Sequence, residues 1–245
     1  MLIFLILGAL AGSIAGSFFN TVADRLPTGG SLIRPGSSCP GCGRRLGWWE
    51  LIPVLSFLVL RGACRTCGRP IGWRVVTVEL ICGGVGLVSV LRLGPTWQAG
   101  LSLSLGGLLV CLAAVDLETR LLPDRLTWPL MGSGLIYSWV WGAGLRWSLA
   151  GFLICGGLLW LVGFVYLRLT KRIGLGGGDP KLAAGLGAWL GPELGLAAVV
   201  WGAGVGAVLG LGLMALGRAG LKTALPFGPF LALSGVVWIL LRPPF

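Results

Sequence analysis

Apolar runs close to the length of a bilayer crossing recur through this chain, and they leave it few folds to choose from. They occupy residues 2–20, 75–92, 97–115, 127–144, 148–167, 180–192, 194–216 and 228–243. A helix needs about 20 mostly apolar residues to cross the hydrocarbon layer. Every backbone polar group in lipid must be satisfied internally, and runs of this length without period-two alternation meet that demand as helices. The expected fold is an all-α polytopic membrane protein of about eight transmembrane helices. The run at 180–192 is short and glycine-rich, so its limits are the least defined. Hydrophobic residues make up 56% of the 245 residues, and the 44 glycines fit helices that approach closely in lipid. Residues 2–20 have no basic segment in front and no small-residue cleavage site, so they read as a retained first helix.

The net charge of +11 raises nucleic acid as a partner, but topology accounts for it first. Alternate threading puts loops 21–74, 116–126, 168–179 and 217–227 on one side. Of 19 basic residues, only Arg92, Arg146 and Arg242 fall on the other. The positive-inside rule makes the basic side cytoplasmic and both termini external. No nucleic-acid partner is expected. The bilayer is, with basic loops facing its anionic headgroups.

The long loop after the first helix carries CPGC and CRTC, each followed by Gly-Arg. Cys39, Cys42, Cys64 and Cys67 match the spacing of a four-thiolate structural zinc site, which has no open position for catalysis. A reducing cytoplasm makes two disulfides the weaker reading. A small zinc-ribbon-like domain is therefore expected between the first and second helices. The intervening GWWELIPVLSFLVL is too short and interrupted for another crossing and is expected on the membrane surface or against helix ends. Cys82, Cys111 and Cys155 lie singly in apolar runs and read as packing residues.

Only eight acidic residues occur, and there is no histidine. Histidine-based catalysis and histidine-ligated metals are excluded. Asp116 ends the apolar run GLLVCLAAV, and Asp179 stands in GLGGGDPKL before the run at 180–192. Threading puts both at the cytoplasmic end of their helices. Two facing carboxyls sharing a proton can activate water with one member and protonate the leaving group with the other. Gly176, Gly177 and Gly178 would let an extended peptide backbone approach. Pro180 suits a first helical turn and makes Asp179 a candidate N-cap. A positive helix end beside Asp179 and a negative one beside Asp116 would place the shared proton on Asp116. Asp124 reads as another N-cap or a supporting partner of the pair, and Lys181 as a supporting or substrate-approach residue. Asp24, Glu50, Glu79 and Glu118 lie on the same side and are available to a basic substrate segment. Glu193 reads as a solvated turn residue on the other.

In order, GSFFNTVADRLP, the cysteine loop through VEL, DLETRLLPDRLT, GLGGGDPKLAAGLGAWLG and LPFGPFLALSG resemble the bacterial prepilin peptidases (type IV leader peptidases), polytopic aspartic peptidases of the GxGD type. The resemblance spans nearly the whole chain. It implies catalysis by Asp116 and Asp179, with type IV prepilins or pseudopilins as substrates. It further implies cleavage of their basic leader at the cytoplasmic face of the inner membrane. Methylation of the new N-terminal residue with S-adenosylmethionine is also implied, with no residues assignable to the donor. The expected division is 1–95, holding the first helix, cysteine loop and second helix, and 97–245, holding the peptidase. Pro180 departs from the larger apolar residue usual after the family's aspartate, and Ala23-Asp24 is unusual in the first motif. Two readings of other classes compete: an ion-coupled membrane transporter built on glycine-broken helices, and a zinc-bearing membrane adaptor whose aspartates only cap helices.

Overall fold

The computed structural model describes residues 1–26, 29–32, 34, 36–172, 174–218, 220 and 226–244. Pro27 of the first motif, Leu225 of the last and Lys222 of the basic side lie outside the described residues. The chain is helical: α1 Leu2–Arg25, α2 Leu55–Val59, α3 Trp73–Leu93, α4 Trp97–Thr119, α5 Asp124–Val140, α6 Leu145–Thr170, α7 Gly178–Ala215 and α8 Gly228–Leu241. Five of these are long and apolar enough to cross a membrane, namely α1, α3, α4, α6 and α7. Two compact units divide the chain, Met1–Ala114 and Val115–Phe245.

In the first unit α1 and α3 run antiparallel with their backbones nearly touching. Gly8, Gly12 and Gly16 make one stripe on α1, and Cys82, Gly83 and Gly86 face it. A Cβ at Gly12 would meet Gly83 Cα at 2.9 Å, and one at Gly16 would meet Glu79 Cα at 2.8 Å. This is the small-residue packing that joins helices in lipid, where no hydrophobic effect drives association. The start of α4 joins α3 through Ser89 and Ser102, whose buried hydroxyls lie 3.1 Å apart. The loop between α1 and α3 holds the cysteines, a 3-10 turn at Trp48–Leu51 and the short α2. Trp48, Leu51, Leu55 and Leu58 of that stretch are exposed, while Trp49, Val54, Phe57 and Leu60 are half-buried, and no helix in it is long enough for a crossing.

The second unit is built around α7, which is two helices. Gly191 leaves helical geometry (φ 75°, ψ −176°) just before Pro192. Only glycine adopts this conformation cheaply. The chain folds back there, because a Cβ at Gly195 would lie 2.8 Å from Gly187 Cα. In a continuous helix these residues stand about 12 Å apart. Counting the arms 178–190 and 192–215 separately recovers the run boundary expected from sequence. Leu182 through Gly191 are all buried, so the first arm is surrounded by protein, as all-round apolar helices are. Against it α6 runs antiparallel, with Ser148 Oγ donating to the Ala188 carbonyl (2.7 Å) and Gly156 beside Pro180. α5 runs parallel to it, Trp189 Nε1 donating to the Leu130 carbonyl (3.0 Å) and Tyr137 stacking on Trp189. The second arm packs on α8 through Gly202 and Gly206, and Ser234 Oγ donates to the Ala198 carbonyl (2.8 Å).

These registers create a recess. The start of α7 lies level with Gly156, so the residues from Gly157 to Thr170 carry α6 about 21 Å further. Leu175 lies against Gly163 and Gly174 against Tyr166, so the glycine loop descends along α6 before α7 begins. The start of α8 lies level with Gly206, and the second arm of α7 continues about 14 Å past it to Ala215.

Candidate active site and metal centre

The two acids expected to pair are both in the second unit, and its topology brings them together. α5 and the first arm of α7 are parallel, so their N-termini sit at one end. Asp116 is three residues from the end of α4, in the segment that feeds α5. Asp116 is 5% exposed and Asp179 7%. Asp179 lies within electrostatic reach of Asp116.

Each carboxylate is held by a glycine backbone. Gly176 N–H donates to Asp179 Oδ2 at 3.1 Å. Gly228 N–H donates to the Asp116 carboxylate, and a Cβ at Gly228 would lie 2.6 Å from Asp116 Oδ2. Leu122 is the spacer. It lies against Gly178, where a Cβ would meet Leu122 Cβ at 2.5 Å, and its Cδ1 would lie 3.3 Å from a Cβ at Gly228. One leucine side chain thus sets the start of α7 against the start of α8.

This geometry revises three sequence expectations. The N-cap of α7 is Gly177, and Asp179 lies in the first turn with its carboxylate turned back to Gly176. The dipole argument for a proton on Asp116 fails too. Although Asp116 nears the C-terminal end of α4, its carboxylate meets the N-terminus of α8, so both acids face a positive helix end. The absent side chain at Gly178 makes room for Leu122, not for substrate. Gly176 and Gly177 remain exposed, and a Cβ at Gly177 would meet nothing within 4 Å. The start of α7, with Asp179, lies level with Gly156, well short of the end of α6.

Asp124 is the first residue of α5, whose N-cap is Pro123, and Lys181 pairs with its carboxylate. This ion pair ties the start of α5 to the start of α7. Asp24 pairs with Arg74 (2.5 Å) and Glu50 with Arg44 (2.7 Å), so these acids are partnered within the chain. Gly228 and Leu122 were not singled out by sequence reasoning. Phe-Gly-Pro at a helix start marks Gly228 as a position where backbone is needed bare. Leu122 carries no such signal.

The cysteine loop of the first unit forms two copies of one turn. Cys39 N–H donates to the Arg44 carbonyl (2.9 Å) and Gly43 N–H to Cys39; Cys64 N–H donates to Arg69 (2.8 Å) and Gly68 N–H to Cys64. Gly43 and Gly68 take left-handed φ of 70° and 68°, which is why Gly follows each pair. The four sulfurs lie within 4.8 Å of one another, and Cys39 Sγ and Cys67 Sγ are 3.7 Å apart. A tetrahedral ion with Zn–S bonds near 2.3 Å requires about 3.8 Å between sulfurs. All four are free thiols, so the donor set fits a structural zinc ion and not two disulfides. Backbone N–H groups of Cys67 and Thr66 pull the Cys64 thiol down to about 6, and those of Cys42 and Gly41 lower Cys39, while burial and the neighbouring sulfurs push Cys67 up to about 11, so the thiolate that binds metal is favoured at Cys39 and Cys64. The Arg44 guanidinium and the Gly47 N–H hold Glu50 down at about 2, bracing the loop beside the first turn.

The bacterial peptidase A24 N-terminal domain matches residues 10–93, and the type IV leader peptidase family matches residues 103–211. A prepilin leader peptidase/N-methyltransferase of Burkholderia pseudomallei is 37% identical over 96% of this chain and 84% of its own length. Proteins of the same name from Stutzerimonas stutzeri and Pseudomonas aeruginosa are each 35% identical over 98% of this chain, covering 91% and 90% of theirs. No solved structure matches.

Proposed function

Because the chain belongs to the type IV leader peptidase family, we propose that Asp116 and Asp179 are the catalytic pair of a membrane-embedded aspartic endopeptidase. It removes the basic leader from type IV prepilins or pseudopilins and also methylates the new N-terminal residue with S-adenosylmethionine. The observation that carries the peptidase assignment is the pairing itself. Two carboxyls 63 positions apart in sequence are both buried at the end of the second unit where α7 and α8 begin, each fixed by one glycine N–H.

In this reading one carboxylate takes a proton from water as it attacks the scissile carbonyl, and the other carboxylic acid protonates the departing amine. The Gly176 and Gly228 N–H groups orient the two acids before substrate arrives, which is worth more in a water-poor recess than in bulk solvent. Exposed Gly176 and Gly177 let an extended backbone lie close to the acids. The positive-inside pattern supports placing this recess on the cytoplasmic side of the inner membrane, with both termini outside. Residues 1–95 then carry the zinc-bearing loop, and residues 97–245 carry the peptidase. The basic loops repel a basic leader, so the substrate's own apolar helix in the bilayer provides the attraction.

The test is leader cleavage by the purified chain in detergent with a prepilin substrate, read by mass spectrometry of the product. Asp116→Asn and Asp179→Asn should each lower kcat by at least about 10³-fold with the helical content unchanged. Substantial cleavage by either variant would remove the pair. An added methyl on the product would establish the second activity in the same experiment.

A further inference from the structure

The short helix α8 is apolar all round, but its faces differ in what they meet. Leu231, Ala232, Gly235, Val236 and Ile239 are buried in the second unit, whereas Leu233, Val237 and Leu241 are exposed. That exposed stripe, with Phe230, forms one wall of an apolar groove of ≈ 330 Å³. Trp201 and Val205, on the second arm of α7, form the other wall. Both stripes repeat at the three- and four-residue spacing that puts side chains on one helix face. Ser234 also lines the groove, and its hydroxyl donates to the Ala198 carbonyl (2.8 Å). The groove therefore offers an occupant hydrocarbon and aromatic rings, and no charge.

Its position sets it apart from the rest of the exposed apolar surface. Phe230 is two residues past Gly228, whose N–H donates to the Asp116 carboxylate, and a Cβ at Gly206 would lie 3.1 Å from the Phe230 ring. The groove thus begins within one helical turn of that acid's glycine and follows α8 from Phe230 to Leu241, about 16 Å along its axis. In the peptidase reading, the bond that is cut joins a basic leader to an apolar helix. When that bond reaches Asp116, the first turns of the helix must lie along the surface that continues from the acid. The uncharged groove is that continuation, and it leads away from the basic loops.

We propose that the groove between the second arm of α7 and α8 docks the apolar helix of the substrate, with Phe230 and Val205 beside its first turn and Trp201 and Leu233 beside the next. The proposal rests on the peptidase reading above and adds where the uncut chain is held. Two packed helices leave a furrow that a third fills ridge into groove, with anchors every three or four residues. Lipid tails are as apolar as leucine, so close packing holds a helix there rather than the hydrophobic effect. The shape of the furrow then selects the substrate, and its distance from Gly228 sets which peptide bond meets the acids.

The experiment is leader cleavage by the full chain in nanodiscs. Two substrates are compared, a prepilin with its helix and a peptide of the same leader ending a few residues past the cut. Leu233→Trp fills the groove more than a helical turn from Gly228. Leu153→Trp, at an exposed position of α6 outside the groove, controls for added bulk in lipid. Leu233→Trp should raise KM for the prepilin by on the order of tenfold or more with kcat retained, and leave KM for the peptide unchanged. Leu153→Trp should alter neither. Benzoylphenylalanine placed at Val237 of an Asp179→Asn chain should cross-link to the prepilin helix under light, a readout that stands even where Leu233→Trp does not fold. An unchanged prepilin KM in folded Leu233→Trp, or an equal rise for the peptide, overturns the groove while leaving the peptidase standing. Cross-linking only to lipid or to a second copy of this chain does the same. Absence of prepilin cleavage by the wild-type chain overturns the peptidase reading, and the groove with it.

Discussion

A methyl group added at Gly228 would stand 2.6 Å from Asp116 Oδ2 and 3.0 Å from its Cγ, so the smallest possible side chain there must push the Asp116 carboxyl aside. Displacements near 1 Å cost about 10²-fold in rate, and Gly228→Ala is expected to lower kcat for leader cleavage by that order. Gly177→Ala makes the contrast. Its methyl meets no protein atom within 4 Å, so only an arriving peptide would feel it, raising KM with kcat largely retained. Steady-state cleavage kinetics of the two variants separate a glycine that positions an acid from one that admits substrate. The sequence made Asp116, Asp179 and the glycine run legible, because acids are scarce in a chain this apolar. It did not disclose Leu122, an ordinary leucine whose role comes from lying between two glycines far from it along the chain.

At the scale of elements, the turn at Gly191 decides how the first arm of α7 is held. Its φ of 75° with ψ near 180° is a glycine conformation, costing other residues about 1–3 kcal/mol. A side chain would in addition collide with the Trp147 ring. Gly191→Ala is expected to destabilise the second unit by at least about 2 kcal/mol, read as a lower unfolding temperature in detergent. If unfolding is unchanged, the two arms do not depend on this turn. The break between the apolar runs at 180–192 and 194–216 was readable because Gly-Pro interrupts them. Register was not readable: glycine spacing on α1 announces close packing, but which α3 residue faces Gly12 depends on both helices at once.

Over the whole molecule, two chemistries are kept in two units, a thiolate site in Met1–Ala114 and a carboxylate pair in Val115–Phe245. One zinc per chain is expected by metal analysis of protein purified under reducing conditions. Replacing Cys39, Cys42, Cys64 and Cys67 by Ser should abolish it and lower the stability of the first unit, leaving overall helical content nearly unchanged. Zinc retained by that variant would remove the site. The sequence by itself determined that the chain is a bundle of apolar helices, that its four paired cysteines have the spacing of a metal site, and that its acids are few. Those conclusions follow from composition, period and spacing, which are local along the chain. Only the tertiary structure decided that Asp116 faces the start of α8, that the acids lie in a recess below the ends of α6 and α7, and that exposed stripes of α7 and α8 wall one groove. Each of these is a meeting between segments distant in sequence, fixed by where glycine lets two backbones touch.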